Sequence, residues 1–273
     1  MKRAQVNDIE LEYDVMGSGE PVLLISPVLA DGFLPLLEEP ALADRYQLIR
    51  YHKRGWGGST HTTPPVSVGT HATDAAALLE HLGLPSAHVV GHSTGAAVAA
   101  QLAVDRPGTV HSLVLLEPLM FSVPSGKAVL QQAVPAFEAY GTGDHEAAWA
   151  MFLSAATGLD WATCRSVLEE RIPGSVAQAV KDADTLFGVE LPAITQWAFR
   201  PEQAADIRCP VMSVLGTDTL PLFVEVAAFL RSSIAQVEDC DIDGVGHLLH
   251  IQRPQPVADA MAAFLQRHVM TGD

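Results

Sequence analysis

The chain alternates short apolar runs with segments in which apolar residues recur at helical spacing. Short runs bounded by turn residues are typical of strands, and longer segments with a period near 3.6 are typical of helices. The predicted strands are residues 6–16, 22–26, 46–52, 87–91, 111–118, 209–216 and 236–242. The predicted helices outside the central region are residues 71–82, 96–105, 221–231 and 254–270. This order predicts an α/β fold, with an antiparallel start and then a mostly parallel sheet covered by helices on both faces.

Residues 125–199 differ from the rest of the chain, because their patterns are helical. Glycines and prolines break the region into several predicted helices. A helical insertion between two buried strands predicts a cap over the sheet. We therefore expect one α/β core domain, formed by residues 1–118 and 204–273, with residues 119–203 as an inserted helical cap. A chain of 273 residues is long enough to form such a core.

Composition and charge narrow the class of protein. Hydrophobic residues make up 48% of the chain and charged residues 18%, as is typical of a globular protein. The formal net charge of -16 repels nucleic-acid phosphates and anionic membrane surfaces, so we expect neither as a partner. No signal-peptide pattern or membrane-spanning run is found, so we expect a cytoplasmic protein. The three cysteines are far apart, which argues against a disulfide framework or a thiolate metal site.

The segment VVGHSTGAAVA at residues 89–99 places Ser93 between two glycines, where an apolar strand runs into an alanine-rich helix. A tight strand-to-helix turn exposes the serine hydroxyl, and it needs glycine where the helix packs closely on the strand, here at Gly91 and Gly95. The pattern GxSxG by itself also occurs as a plain glycine turn. The flanking strand and helix favour Ser93 as a catalytic nucleophile.

A serine hydroxyl is a weak nucleophile unless a base accepts its proton. His247 lies after the last predicted strand, in the glycine-containing segment DIDGVGHLLHIQRP, and is the predicted base. His250 follows three residues later, so the two histidines also form an HxxH pair of the kind found in metal sites. No third ligand is evident in the sequence, and we expect no metal.

Over essentially its whole length the chain resembles the α/β-hydrolase superfamily. The resemblance rests on GHSTG, the RGWGGS loop, the helical insertion and the C-terminal segment GVGHLLHIQRPQPVADAMAAFL. It implies an α/β-hydrolase fold and a triad of serine, histidine and a carboxylate. No metal or organic cofactor is needed for that chemistry.

Two carboxylates are candidates for the triad acid. In the family the acid usually lies in a G-x-x-D turn after the strand that follows the cap, but Thr219 occupies that slot here and Asp218 lies one residue early. Glu117 ends the apolar strand LVLLEP, in the slot used by a minority of the superfamily, including some haloalkane dehalogenases and the fungal zearalenone lactonases. A carboxylate there is costly to bury unless it is paired. We predict Glu117 as the acid, with Asp218 as the alternative.

The resemblance also implies an oxyanion hole formed by two backbone N–H groups. One belongs to Thr94, directly after the proposed nucleophile, and the other to Val28, in the loop after an early strand. The family usually has His-Gly just before the second position, where this chain has Ser26 and Pro27. Val28 is therefore assigned from the slot that it occupies.

Together these residues predict a serine esterase or lactonase that acts on a hydrophobic small molecule through an acyl-enzyme intermediate. The Glu117 slot, shared with zearalenone lactonases, favours lactones. The candidate pocket residues are Phe33, Leu119, Met120, Phe121, Trp149, Phe152, Phe187 and Trp197. Alternative functions are a cofactor-free perhydrolase or haloperoxidase, a carbon-carbon bond hydrolase, and a small-molecule receptor on a hydrolase fold. A dehalogenase is disfavoured, because that chemistry uses an aspartate at the position of Ser93.

Overall fold

A computed structural model describes residues 1–270 and contains an eight-stranded sheet. Its strands are β1 (Lys2–Val6), β2 (Ile9–Met16), β3 (Glu20–Ile25), β4 (Tyr46–Tyr51), β5 (Ala87–His92), β6 (Val110–Leu116), β7 (Val211–Gly216) and β8 (Val237–Ile242). Across the sheet they follow the order β1-β2-β4-β3-β5-β6-β7-β8. The pairs β1/β2 and β2/β4 are antiparallel, and the other neighbouring strands are parallel. The predicted fold class is therefore confirmed.

Helices follow most of the strands. They are α1 (Leu34–Leu37), α2 (Pro40–Ala43), α3 (Val68–His81), α4 (Thr94–Asp105), α5 (Gly126–Gln132), α6 (Val134–Gly141), α7 (His145–Thr157), α8 (Trp161–Arg171), α9 (Ser175–Lys181), α10 (Ala183–Thr185), α11 (Leu191–Gln196), α12 (Pro201–Ala204), α13 (Pro221–Ser233), α14 (Leu249–Gln252) and α15 (Pro254–Arg267). A π-helical turn, Leu186–Glu190, joins α10 to α11. Within residues 1–270, none of the helices is long and apolar enough to cross a membrane.

The region predicted as the first strand contains a turn in the structure. The sequence pattern predicts one strand over residues 6–16, whereas β1 and β2 form a hairpin in which Asn7 and Asp8 are the turn residues. Asn7 has a φ of 47°, a left-handed conformation that asparagine tolerates better than most residues. The prediction did not include β1, because only two of its five residues are buried and they leave no apolar run.

Alternate side chains of the central strands enter two hydrophobic cores, one on each face of the sheet. In β3, Leu23 and Ile25 pack into the core that contains the apolar residues of α3 and α4. Val22 and Leu24 pack into the other core, with α1, α2 and α15. This period of two follows from the pleat of a strand. Because both faces of the central strands are covered, β6 is almost continuously apolar in its segment LVLL, whereas the edge strand β8, VEDCDI, is mostly exposed or half-buried.

Helices α5–α12 and the π-helical turn occupy the interval between β6 and β7, where the sequence predicts helices. Their buried aromatic and aliphatic side chains join the same core as α3 and α4. The division into a core of residues 1–118 and 204–273 and a cap of residues 119–203 stays a prediction. Residues 271–273 of that predicted core lie outside the described residues.

The turn between β5 and α4 brings the helix very close to the sheet. A Cβ at Gly91 would overlap the backbone of Gly95 and Ala96, and a Cβ at Gly95 would overlap the carbonyl oxygens of Ile25 and Ser26 at the end of β3. Backbone atoms cannot move aside as the end of a flexible side chain can. Both positions therefore require glycine, in agreement with the sequence pattern.

Gly95→Ala is expected to destabilise the protein by at least about 2 kcal/mol, because the added methyl group must displace the backbone of β3. Thermal unfolding followed by circular dichroism measures this loss as a fall in Tm of at least about 4 °C. Gly108→Ala is the matched control, because a Cβ at Gly108 meets no atom within 4 Å. Equal losses in the two variants would contradict the close contact between α4 and β3.

Candidate active site

Ser93 lies between the last residue of β5 and the first residue of α4, in a strained backbone conformation with φ 54° and ψ -119°. Its backbone is held on both sides. The N–H donates to the carbonyl of Leu116 at 3.0 Å, and the carbonyl accepts from the N–H groups of Ala96 and Leu119, both at 3.1 Å. A positive φ is unfavourable for serine, so these surrounding bonds are what maintain it. The conformation is that of the strand-to-helix turn predicted from GHSTG.

Glu117 directly follows β6, the strand next to β5, and its carboxylate is fully buried. The Oε2 atom lies 2.7 Å from Nδ1 of His247. The same carboxylate accepts the N–H of Gly216 at 2.8 Å and the hydroxyl of Thr219 at 2.9 Å. Three hydrogen bonds thus compensate for removing the carboxylate from water. With Glu117 accepting from Nδ1, the Nε2 atom of His247 is left as the proton acceptor.

The alternative acid, Asp218, is exposed to solvent and makes no hydrogen bond to His247. Its backbone N–H donates to the carbonyl of Val245 at 3.0 Å. Thr219, in the slot where the family usually has its acid, contacts Glu117 instead. The structure therefore brings Glu117 and not Asp218 to the imidazole of His247.

His247 packs against two rings. Phe223 stacks on it, with centroids 4.1 Å apart and the planes at 10°, and the centroid of the His92 ring lies 4.6 Å away, tilted by 39°. Nε2–H of His92 donates to the carbonyl of His247 at 2.9 Å, because a carbonyl can only accept. The ring of His250 lies 4.2 Å from that of His92 and 5.1 Å from that of Phe33. The prediction did not include His92 or Phe223.

His92, His247 and His250 form a buried cluster of rings. Among residues 1–270, no group of three or more His, Cys, Asp or Glu side chains is arranged to hold a metal ion. Burial lowers the pKa of His92 well below its ordinary value, and the neighbouring His250 and His247 lower it further. Burial also lowers the pKa of His250 to about 3. Both rings are therefore neutral near pH 7.

The two predicted oxyanion donors, Thr94 and Val28, belong to segments that meet at Ser93: Thr94 follows it directly, and Val28 lines a cavity with it. Thr94 is buried at the first position of α4, where backbone N–H groups have no partner within the helix. Its Oγ1 accepts a hydrogen bond from Nζ of Lys53 at 3.1 Å. Val28 is buried and lines a small cavity that also contacts Ser93 and His247. The sequence analysis did not identify Lys53.

A largely apolar cavity is in contact with Ser93 and His247. Its empty space, counted with the part that opens to solvent, is about 570 Å³. The lining residues are Ser93, Leu119, Phe121, Val129, Leu130, Ala133, Phe137, Phe152, Ala155, Ala156, Leu191, Thr195, Leu220, Leu222, Phe223 and His247. The hydroxyl of Thr195 donates to the carbonyl of Leu191 at 2.7 Å, so its proton is already bound. The cavity therefore favours an uncharged, apolar ligand.

A second cavity is lined by Val28, and its empty space, counted with the part that opens to solvent, is about 350 Å³. It shares Ser93, His247, Phe152 and Ala156 with the larger one. Its other lining residues are Pro27, Val28, Leu29, His92, Leu153, Leu248 and Ile251. Ser93 is thus flanked by two apolar spaces of different size.

The eight pocket residues suggested by the sequence divide into two groups. Leu119, Phe121 and Phe152 line the larger cavity. The other five line neither of these two cavities, and their role in a pocket stays a prediction: Phe33 packs against His250, Met120 lies in the core, Trp149 packs against Trp56, Phe187 against Tyr140, and the half-buried Trp197 against Phe199. Aromatic character alone did not distinguish lining from core.

Acid is expected to destabilise the protein through His250. Its pKa of about 3 lies below the value near 6.5 of an unfolded chain, so the unfolded state binds more protons as the pH falls below 6.5. Between pH 7 and pH 5 this costs about 2 kcal/mol, or roughly 4–8 °C in Tm. His250→Phe should reduce the fall in Tm by that amount, whereas His61→Gln, at an exposed histidine, should not. Equal pH dependence in all three proteins would contradict a neutral, buried His250.

Comparisons with known proteins agree with this architecture. A family model described as the alpha/beta hydrolase fold matches residues 30–254. A protein of Azorhizobium caulinodans with the name "Putative carbamate hydrolase RutD" is 27% identical over 268 residues, which are 97% of this chain and 98% of that protein. Its printed name describes a hydrolase.

Two solved structures are similar to this chain along its length. The enol-lactonase from Burkholderia xenovorans LB400 superposes with a TM-score of 0.79 at 21% identity, covering 97% of this chain and 100% of the other. A thermophilic esterase from Thermogutta terrifontis gives a TM-score of 0.81 at 22% identity, covering 98% and 100%. At this identity the likeness shows the fold. Because the family model spans well over half of the chain, the protein belongs to the α/β-hydrolase family.

Proposed function

We propose that this α/β-hydrolase is a serine hydrolase that cleaves a carboxylic ester or lactone bond of an uncharged, hydrophobic small molecule. The contact between the buried carboxylate of Glu117 and Nδ1 of His247, beside Ser93 in an apolar cavity, carries the proposal. The names of the solved neighbours, an enol-lactonase and an esterase, support the same class of bond.

The proposed reaction begins when Nε2 of His247 accepts the proton of Ser93 and Oγ attacks the substrate carbonyl carbon. Glu117 holds the imidazole in the required tautomer and stabilises its cation. The N–H groups of Thr94 and Val28 bind the oxyanion. His247 then protonates the leaving alcohol, which departs from the acyl-enzyme. Water, deprotonated by the same histidine, releases the acid and restores Ser93.

The lining of both cavities supports a neutral substrate. Neither lining contains Lys, Arg, Asp or Glu. A charged group that left water to enter this space would find no opposite charge, and its transfer would be unfavourable. The larger cavity binds the bulkier apolar part of the ester, and the smaller cavity binds the remaining part. A lactone, in which both parts belong to one ring, also fits two connected apolar spaces.

Substitution of the triad tests the proposal directly. With p-nitrophenyl esters and aryl or macrocyclic lactones as substrates, Ser93→Ala is expected to lower kcat by about 10⁴-fold or more, and Glu117→Gln by about 10³-fold or more. Asp218→Asn, at the exposed alternative, is expected to stay within about threefold of the native protein. A greater loss with Asp218→Asn than with Glu117→Gln would show that the acid is misassigned.

Moving the carboxylate provides a further check of the acid. Because the Thr219 hydroxyl already contacts Glu117, an acid at residue 219 should lie near His247. The double variant Glu117→Gln/Thr219→Asp is therefore expected to have a kcat at least about tenfold above that of Glu117→Gln alone.

The receptor alternative has its own test. If Ser93 of the native protein reacts with an uncharged fluorophosphonate but none of the esters or lactones turns over, the result favours a receptor and argues against the hydrolase proposal.

Charge selectivity tests the proposed substrate class. The native protein should hydrolyse phenyl butyrate with a kcat/KM at least about tenfold above that for monophenyl succinate, which adds a carboxylate. Leu130→Arg, which places a cation in the larger cavity, should narrow or reverse this preference. Ala128→Arg adds the same charge on the exposed side of α5 and should leave the preference for phenyl butyrate unchanged. Equal rates for both esters in the native protein would contradict the neutral class.

A further inference from the structure

Lys53 is a lysine whose side chain is buried almost completely, with 1% of its surface exposed. It lies two residues after β4, at the start of the RGWGGS loop. Its ammonium group forms an ion pair with Glu190, which is 3% exposed and ends the π-helical turn of the insertion. The pair therefore joins the sheet to the helices inserted between β6 and β7, across 137 positions of the sequence.

The second contact of the lysine is with the candidate oxyanion hole. Nζ donates a hydrogen bond of 3.1 Å to Oγ1 of Thr94, the residue directly after Ser93. Thr94 is itself only 1% exposed. The ammonium group thus contacts both Thr94 and Glu190 and links the two residues.

Glu190 has a further hydrogen-bond donor and a histidine close by. Its Oε2 accepts from the indole N–H of Trp56 at 3.2 Å and lies 3.3 Å from Nε2 of His71. The next residue in the chain, Leu191, lines the larger cavity. The carboxylate that binds Lys53 is therefore anchored in the core of the protein and attached to the cavity wall.

Stability alone is a weak explanation for such a pair. Taking two charges out of water is costly, and replacing a buried ion pair with neutral side chains of similar volume is often neutral or stabilising. A neighbouring pair offers a comparison: Arg54 donates through Nε to the buried Asp74 at 2.9 Å, but neither residue contacts the two cavities. The Lys53–Glu190 pair thus contacts the residue after Ser93, whereas the Arg54–Asp74 pair lines neither cavity.

We propose that Lys53 and Glu190 are positioning residues that set the oxyanion donor of Thr94 and the cavity wall at Leu191 relative to each other; this inference rests on the proposed hydrolysis. An oxyanion donor is effective only within about 2.7–3.1 Å of the developing charge, so a small displacement of Thr94 weakens it. Lys53 fixes the Thr94 side chain and hence the first residue of α4.

A double-mutant cycle between Lys53 and Thr94 tests the proposal. Lys53→Met keeps the length of the side chain and removes its charge, and Thr94→Val removes the hydroxyl and keeps the shape. With p-nitrophenyl butyrate, each is expected to lower kcat by about 10- to 100-fold and to change KM by less than about threefold. The combined variant should lose no more than the larger single loss, because both changes break one contact. Fully multiplicative losses would overturn the proposal.

Lys53→Met leaves a buried unpaired carboxylate and is at risk of misfolding, so a second variant removes both charges. Lys53→Met/Glu190→Gln retains an acceptor for Trp56 and is expected to fold with a Tm near the native value. Its kcat should still fall by about tenfold or more. The matched control, Arg54→Met/Asp74→Asn, removes the neighbouring buried pair, and its kcat should stay within about threefold at a temperature where it is folded.

The rate of Ser93 phosphonylation by an uncharged fluorophosphonate gives a readout that needs no turnover. Lys53→Met/Glu190→Gln should slow this reaction by about tenfold or more, and the Arg54/Asp74 control should not. If the Lys53/Glu190 variant reacts and hydrolyses esters like the native protein while Ser93→Ala is inactive, only the positioning role is overturned. If Ser93→Ala retains hydrolysis, the proposed function itself fails.

Discussion

The carboxylate of Glu117 is the group on which the geometry of this site depends. The carboxylate is fully buried and lies at the end of β6. It accepts a hydrogen bond from Gly216, at the end of β7, and another from Thr219 in the following turn. It also contacts His247, in the loop after β8. A buried carboxylate without partners is strongly unfavourable, so these segments must meet for the chain to fold. The condition that stabilises the charge also places His247 next to Ser93.

The parallel sheet explains why the candidate residues meet. Ser93 follows β5, Glu117 follows β6, and His247 follows β8, so all three lie at the carboxyl ends of their strands. In α/β sheets this edge forms the crevice in which ligands bind. The strand ends alone place few apolar side chains above this edge of the sheet. Helices of the insertion provide much of the lining of the larger cavity, so the polar residues of the site come from the strand ends and much of its apolar lining from the helices.

Several buried charged groups lie close to the strand-to-helix turn. Glu117 contacts His247, which lines a cavity together with Ser93, and the Lys53–Glu190 pair contacts Thr94. The lysine and glutamate partly offset the cost of each other's burial: desolvation lowers the pKa of Lys53, and Glu190 opposes that change. Both groups restrict how the turn can move. The strained backbone of Ser93 is thus held within polar contacts and close packing of α4 on β3.

The sequence by itself determined the fold class and the strand-to-helix turn at Ser93. These follow from local patterns: the period of apolar residues and glycine where backbones touch. The preference for Glu117 over Asp218 came from the slot that the resemblance to the α/β-hydrolase superfamily implies, and the contact of Glu117 with His247 agrees with it. Only the tertiary structure decided which apolar residues line the cavity and that Lys53 meets Glu190. A buried aromatic side chain has the same local pattern whether it faces a neighbour or a cavity, and contacts across more than a hundred residues depend on how helices are oriented after packing.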